Sequence, residues 1–365
     1  MNTRSNVNVN AGNIAGRFKL HVCNSAGDIT NSTDWINNLV TDFGLNTICA
    51  GSNLSLFSEA SRVAVGSGST TPSVTDVALV AQIGSRQLRT SNTPSSNSGA
   101  PLYYSSIVSS FVFTAGAIVG NIAEVGLFTA ATGNTAATRA LVLDSGGTPT
   151  TFTVLATETL TVTYELRFYP NLVDTAGTFN IGSTVYNYTQ RCAYPTSASG
   201  AGIVAGCFGH NNGTTGAVLF APQALPAFGV GPTGTGFNSN SYSYTAYTTG
   251  TFTRVETVVW GPTAGNVPGG IGFVTYGSYA ANSSSANQGF FMTISPVITK
   301  TNLQTLTLTF SITYSRTYNC DVSGQLTICK LLISFPVSTF QCRHCGQSYS
   351  YISPSFLLFR TTSCK

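Results

Sequence analysis

The chain has 365 residues, which at roughly 150 residues per domain makes about two domains, each large enough to bury a core without relying on disulfides. Lys and Arg number 16 against 12 Asp and Glu, and these 28 charges are 8% of the chain, where about 25% is usual. A balance of +4 with no block of Lys or Arg excludes the phosphate neutralisation on which nucleic-acid affinity rests, and the 42% apolar and 11% aromatic content excludes a disordered chain.

From the amino end, MNTRSNVNVN has no apolar h-region and does not read as a secretory signal. Thr33 followed by Trp35, Leu39 and Phe43, spaced by four, with Gly44 beyond, predicts a capped helix over Asp34 to Phe43. After it the apolar residues alternate. SSIVSSFVF (Ser105 to Phe113), TLTVTYELRFY (Thr159 to Tyr169) and TLTLTFSITY (Thr305 to Tyr314) follow a period of two and are rich in Val, Ile, Thr, Tyr and Phe. The longest apolar stretch, LTICKLLISFPV, is interrupted by Lys330 and Pro336, short of the roughly 18 residues of a membrane span, so membrane insertion is not expected.

Two internal matches suggest duplication. TLTVTYEL from Thr159 pairs with TLTLTFSI from Thr305, and IAEVGLF (Ile122 to Phe128) resembles RVETVVW (Arg254 to Trp260), which matches Glu124 with Glu256. The expected fold is therefore all-β: two related β-sandwich domains, residues 1–170 with the short helix and residues 171–316, followed by a Cys-rich extension, 317–365. Five of the nine cysteines, Cys320, Cys329, Cys342, Cys345 and Cys364, lie in that last segment.

The residues offer little catalytic chemistry. Glu158 and Glu165 are seven apart, an odd spacing that sends them to opposite faces of a strand, so they do not read as a glycosidase pair. Glu124 and Glu256 read as recurring strand residues that satisfy buried amides or Arg. No G-x-S-x-G elbow is present. Cys207 with His210 in CFGHNNG reads as a loop His beside a buried Cys. Gly229, Gly231 and Gly234 match a nucleotide loop in letters only, because Pro232 intervenes and no helix pattern follows. Cys320, Cys329, Cys342 and Cys345 could supply four thiolates to zinc, but C-x8-C-x12-C-x2-C lacks a short first knuckle, and free or late-oxidising thiols are the preferred reading. The expectation is no enzyme and no cofactor. SYSYTAYTTG places Tyr242 and Tyr244 on one strand face with Tyr247 near the following turn. Such rings suit a receptor or glycan contact, against the simpler reading that this face is core.

The run VAVGSGSTTPSVTDVALVAQIGSRQLRT (Val63 to Thr90), then GNIAEVGLF, then TRALVLDSGGTPTTFTVLATETLTVTYELRFYP resembles virion structural proteins of tailed bacteriophages, tail-fibre or minor tail proteins in particular. ISPVITKTNLQTLTLTFSITYSR (Ile294 to Arg316) is similar to the end of a domain in that group. The resemblance covers about Val63 to Arg316. It implies a β-sandwich component of the virion tail, assembled in the host cytoplasm with copies of itself, a trimer by analogy, and with other virion proteins. It implies no active site, and it leaves open a capsid decoration protein or a module that recognises a host-surface glycan. The segment after Arg316 departs from the pattern, since such chains usually stop there.

Overall fold

The computed structural model describes residues 4–50, 61–97, 104–192, 217–227, 230–276, 289–317, 340–341 and 348–349. In chain order the elements are β1 (Arg4–Cys23), β2 (Ile29–Ser32), β3 (Ile36–Val40), α1 (Asp42–Ala50), β4 (Arg62–Gly66), β5 (Gln82–Leu88), β6 (Ser91–Asn97), β7 (Tyr104–Phe113), β8 (Gly120–Ile122), β9 (Glu124–Phe128), β10 (Ala136–Leu141), β11 (Phe152–Val154) and β12 (Thr159–Pro170). They continue with β13 (Thr175–Ile181), β14 (Thr184–Cys192), β15 (Ala217–Phe220), β16 (Phe237–Asn238), β17 (Ser241–Tyr244), β18 (Thr253–Trp260), β19 (Ile271–Tyr276), β20 (Phe290–Ile298), β21 (Leu306–Arg316), β22 (Phe340–Gln341) and β23 (Ser348–Tyr349). The chain is all-β, with a single helix among the described residues near the N-terminus. That helix is too short and too polar to cross a membrane.

The long strand β1 organises the first compact unit, Met1–Asn319. Its early residues run parallel to β21, from Arg4↔Thr307 to Ile14↔Arg316, and its later ones run antiparallel to β12, from Gly12↔Pro170 to Cys23↔Thr159. The two Thr-alternating segments matched in the sequence are thus the two long neighbours of β1. The second match does not extend to strand neighbours, because β9 lies between β10 and β4 whereas β18 lies between β17 and β21. Pro170 ends β12, and residues on either side of it belong to one unit because β1 pairs with strands from both. The second unit, Cys320–Lys365, is described only by the β22–β23 pair.

Strand β1 stays amphipathic over its length by means of a bulge. Val7, Val9 and Ala11 are buried at odd positions, and Ile14, Phe18, Leu20 and Val22 at even ones. The register slips between Asn10 and Gly12, and this extra residue shifts the alternation so that both halves keep their apolar side inward. Gly12 sits at φ 139°, and a Cβ there would run into the Tyr169 carbonyl. Gly12→Val is therefore expected to destabilise the unit by about 2 kcal/mol or more, read as a lowered urea midpoint.

Opposite the β17–β18–β21–β1 portion lies a six-stranded sheet in the order β13-β14-β20-β19-β15-β16. Inward residues of the two sheets share one core, in which Tyr276 of β19 stacks on Phe310 of β21 with ring centroids 4.2 Å apart. This is a β-sandwich, and its apolar interior follows from the period-two pattern of each strand. The remaining strands, β3-β10-β9-β4-β5 with β12 and β7, enclose Phe18, Leu20, Phe111, Val125 and Leu127 in the same continuous core.

The helix lies later than the spacing predicted. Residues Ile36–Val40 form a strand, drawn into the sheet by pairing with Gly16–Phe18 of β1 and with Thr138 and Arg139 of β10. The helix begins at Asp42, where the predicted one was ending. Thr41 is its cap, since its hydroxyl accepts the Gly44 amide at 3.0 Å, and Leu45, Ile48 and Cys49 form the buried face. The four-residue spacing of Trp35, Leu39 and Phe43 mimicked a helix, but sheet pairing on both sides outweighed it.

Candidate functional site

Strand β17 pairs antiparallel with β18, with Tyr244 opposite Glu256 and Tyr242 opposite Val258. Directly opposed residues share a face, so both tyrosines lie on the side of Arg254, Glu256, Val258 and Trp260, the inward side of β18. Tyr242 and Tyr244 meet edge to face with centroids 5.9 Å apart. The Arg254 guanidinium lies over the Tyr244 ring, 3.9 Å from its centroid. Behind them Glu256, fully buried, accepts a short hydrogen bond from the Tyr276 hydroxyl across the sandwich. Burial pushes the Glu256 carboxyl up to about 7, with Tyr276 and Arg254 pulling the other way, and burial likewise raises the Tyr244 hydroxyl.

After β17 the chain turns against the end of α1. Asn46 of the helix accepts both the Tyr247 hydroxyl at 2.6 Å and the Gly250 amide at 2.8 Å through its Oδ1. The Phe252 amide donates to the Tyr247 oxygen at 3.2 Å. Phe252 itself has φ 50°, a left-handed conformation adopted by no other non-glycine residue among those described. The result is a cleft of about 200 Å³ between Cys49 and Ala50 at the helix end, the segment from Tyr244 to Tyr247, and Arg254. Burial pushes the Cys49 thiol up to about 12, so at neutral pH it is a neutral wall and not a nucleophile.

The three tyrosines singled out in the sequence therefore divide. Tyr244 and Tyr247 line the cleft, while Tyr242 does not line it and packs against the core beside Tyr244. Sequence reasoning missed Arg254, Asn46 and Cys49. The signal for Arg254 was present: in TRVETVVW it alternates in phase with Glu256, Val258 and Trp260, so a strand that buries Trp260 turns Arg254 inward as well. The other two become visible only when helix and turn meet.

The remaining carboxylates of interest are each engaged separately. Glu124, fully buried in β9, accepts amides from Ala81 at 2.8 Å and from Gly68 and Val80 at 3.2 Å, and pairs with Arg139 at 2.8 Å. Arg139 also bonds Asp76 and Thr70, which fastens the loop before β5. Glu165 pairs with Arg17 and Arg167, while Glu158 accepts the Thr30 hydroxyl and the Leu155 amide. No group of three or more His, Cys, Asp or Glu side chains gathers at metal-binding distances among the described residues. Cys207, His210, Gly229, Cys320, Cys329, Cys342 and Cys345 lie outside the described residues. Comparison with protein-family models, with curated proteins and with solved structures found no match.

Proposed function

We propose that the chain is a non-enzymatic structural component of a bacteriophage virion, a tail fibre, tip or adaptor protein that works by associating with copies of itself and with other virion proteins, and that also contacts the host surface. One observation carries this reading: where β17, β18 and β21 lie beside residues 6–10 of β1, the outward positions carry no charged side chain, and Arg17 and Lys19 follow only in the later half of β1. The outward positions of β17, β18 and β21 are Ser, Thr and Val, and those of residues 6–10 of β1 are Asn. Thr253 with Thr313 and Thr257 with Thr309 form hydroxyl pairs across it at 3.0 and 3.2 Å. A face of this kind can be covered by a partner without desolvating ions. The scarcity extends further, because among the described residues eight charged side chains, Glu124, Arg139, Arg254 and Glu256 among them, are buried and so do not contribute charge to the exterior.

Mass photometry of the purified chain at micromolar concentration tests the assembly part. The expected result is an oligomer, converted to monomer by Ser243→Lys with Thr309→Lys, which places two ammonium groups on the uncharged face. A monomer at every concentration, together with antibody that labels no particle, would overturn the proposal. Antibody on the head instead of the tail would reassign the chain to capsid decoration.

A further inference from the structure

We propose that the free edge of β13 docks the β13 of a second copy of the chain, pairing antiparallel about a two-fold axis at Thr178 and joining two six-stranded sheets into one. The inference rests on the assembly part of the proposed function and adds to it a contact through a strand edge, separate from the uncharged face.

The edges of the two sheets are not alike. In the larger sheet β17 and β2 have four residues each, β5 carries Arg86 and has Gly84 at φ 65°, and β6 carries Pro94. At the far end of the six-stranded sheet β16 has two residues. Short length, charge, kinks and proline are devices by which sheet edges avoid adding strands. Strand β13 has none of them. Its seven residues, TAGTFNI, include no charge and no proline, and they pair with β14 from end to end without a register shift. Ala176, Thr178 and Asn180 are exposed.

The turn after β13 fixes which backbone groups lie open. Gly182, at φ 60°, and Ser183 connect β13 to β14, and a two-residue turn of this kind makes Ile181 and Thr184 a hydrogen-bonded pair. In steps of two from Ile181, Phe179, Gly177 and Thr175 also turn their backbone groups to β14. Ala176, Thr178 and Asn180 therefore direct N–H and C=O to the open edge, where no strand among the described residues meets them.

A partner strand must meet these groups in matching order, and β13 itself does so. With Thr178 opposite Thr178 of the second copy, Ala176 falls opposite Asn180, so each of these residues exchanges both backbone bonds with its counterpart. The same register sets Thr beside Thr on the outward face, a favourable cross-strand pair. It opposes no like charges, because Asp174, held by Arg191, falls opposite Gly182. Leu172 and Val173, exposed apolar residues at the entry to β13, then lie beside the Gly182–Ser183 turn of the second copy and are shielded from water.

A seven-residue edge on each side buries less than the roughly 1,200 Å² of a stable complex. The edge dimer is therefore weak on its own, and it is measured in the Ser243→Lys, Thr309→Lys variant, whose uncharged face is blocked. Sedimentation velocity of that variant is expected to show monomer at about 5 µM and mostly dimer at about 500 µM, a dissociation constant on the order of 100 µM. Adding Thr178→Pro removes the outward N–H and leaves the β14 ladder intact. It is expected to weaken dimerisation at least about tenfold with an unchanged melting temperature. Should that variant fold poorly, Thr178→Lys keeps the backbone, sets two ammonium groups against each other across the axis and carries the same expectation. Amide hydrogen exchange at Ala176, Thr178 and Asn180 is expected to slow about threefold across the same concentration range. Absence of dimer at the upper concentration, a dimer undiminished in a folded Thr178 variant, or slowed exchange confined to other strands overturns the inference. None of these results bears on the oligomer that the unmodified chain forms at micromolar concentration, so the two readings fail separately.

Discussion

Glu124→Ala is expected to destabilise the folded unit by about 3–5 kcal/mol, the cost of removing one partner from a buried ion pair. The carboxylate is fully buried and holds three backbone amides as well as Arg139. Its loss strands a guanidinium that is itself 1% exposed and leaves three amides without an acceptor, each costing about 1–3 kcal/mol when unsatisfied. Asp76 remains beside Arg139 but is partly exposed and does not replace the lost contacts. Urea denaturation would show a lowered midpoint. Glu124→Leu combined with Arg139→Met is expected to cost clearly less than the sum of the two single changes, because the pair is removed together. A loss below about 1 kcal/mol for Glu124→Ala would show that the network does not hold the loop.

Glu256 is expected to make stability fall as pH rises, opposite in sign to a salt-bridged carboxylate. Burial holds its carboxyl at about 7 in the folded chain, against 4.5 when exposed. Below 4.5 the group is protonated in both states and costs nothing. Between 4.5 and about 7 the unfolded chain releases a proton that the folded chain keeps, so stability declines by about 1.4 kcal/mol per pH unit. The total is about 3 kcal/mol by pH 7, and above that the contribution is level. Glu256→Gln, which keeps a hydrogen-bond acceptor for Tyr276, is expected to abolish this part of the slope. Urea midpoints of both proteins at pH 5, 6, 7 and 8 measure it, and parallel curves would refute the assignment.

The fold class was readable because each long strand carries its own alternation: TLTVTYELRFYP and LTLTFSITYSR bury every second residue at their starts, as their letters suggest. The buried role of Glu256 was readable for the same reason, since it falls on the apolar phase of β18, whereas β9 is buried on both faces and Glu124 was legible only through its match with Glu256. Long-range pairing was not readable. Nothing in INNLV announces that β1 and β10 will hold it as a strand, and nothing in RSNVNVN announces a parallel partner near Thr307. Part of the cleft lining was legible, in Tyr244 on its strand and Tyr247 near the turn that follows, while Tyr242 does not line it. The rest depends on α1 meeting that turn, a contact between Asn46 and Tyr247 that spans 201 residues.

The parallel pairing of β1 with β21 also has a consequence during synthesis. Ser5 emerges from the ribosome long before Thr307, its hydrogen-bond partner 302 residues away. At about 5–20 residues per second, the first strand waits roughly 15–60 s with one edge of its leading half unfilled. Closure of this unit therefore waits until β21 has been made, and a nascent chain stalled before Leu306 would display a ready template for stray β-pairing.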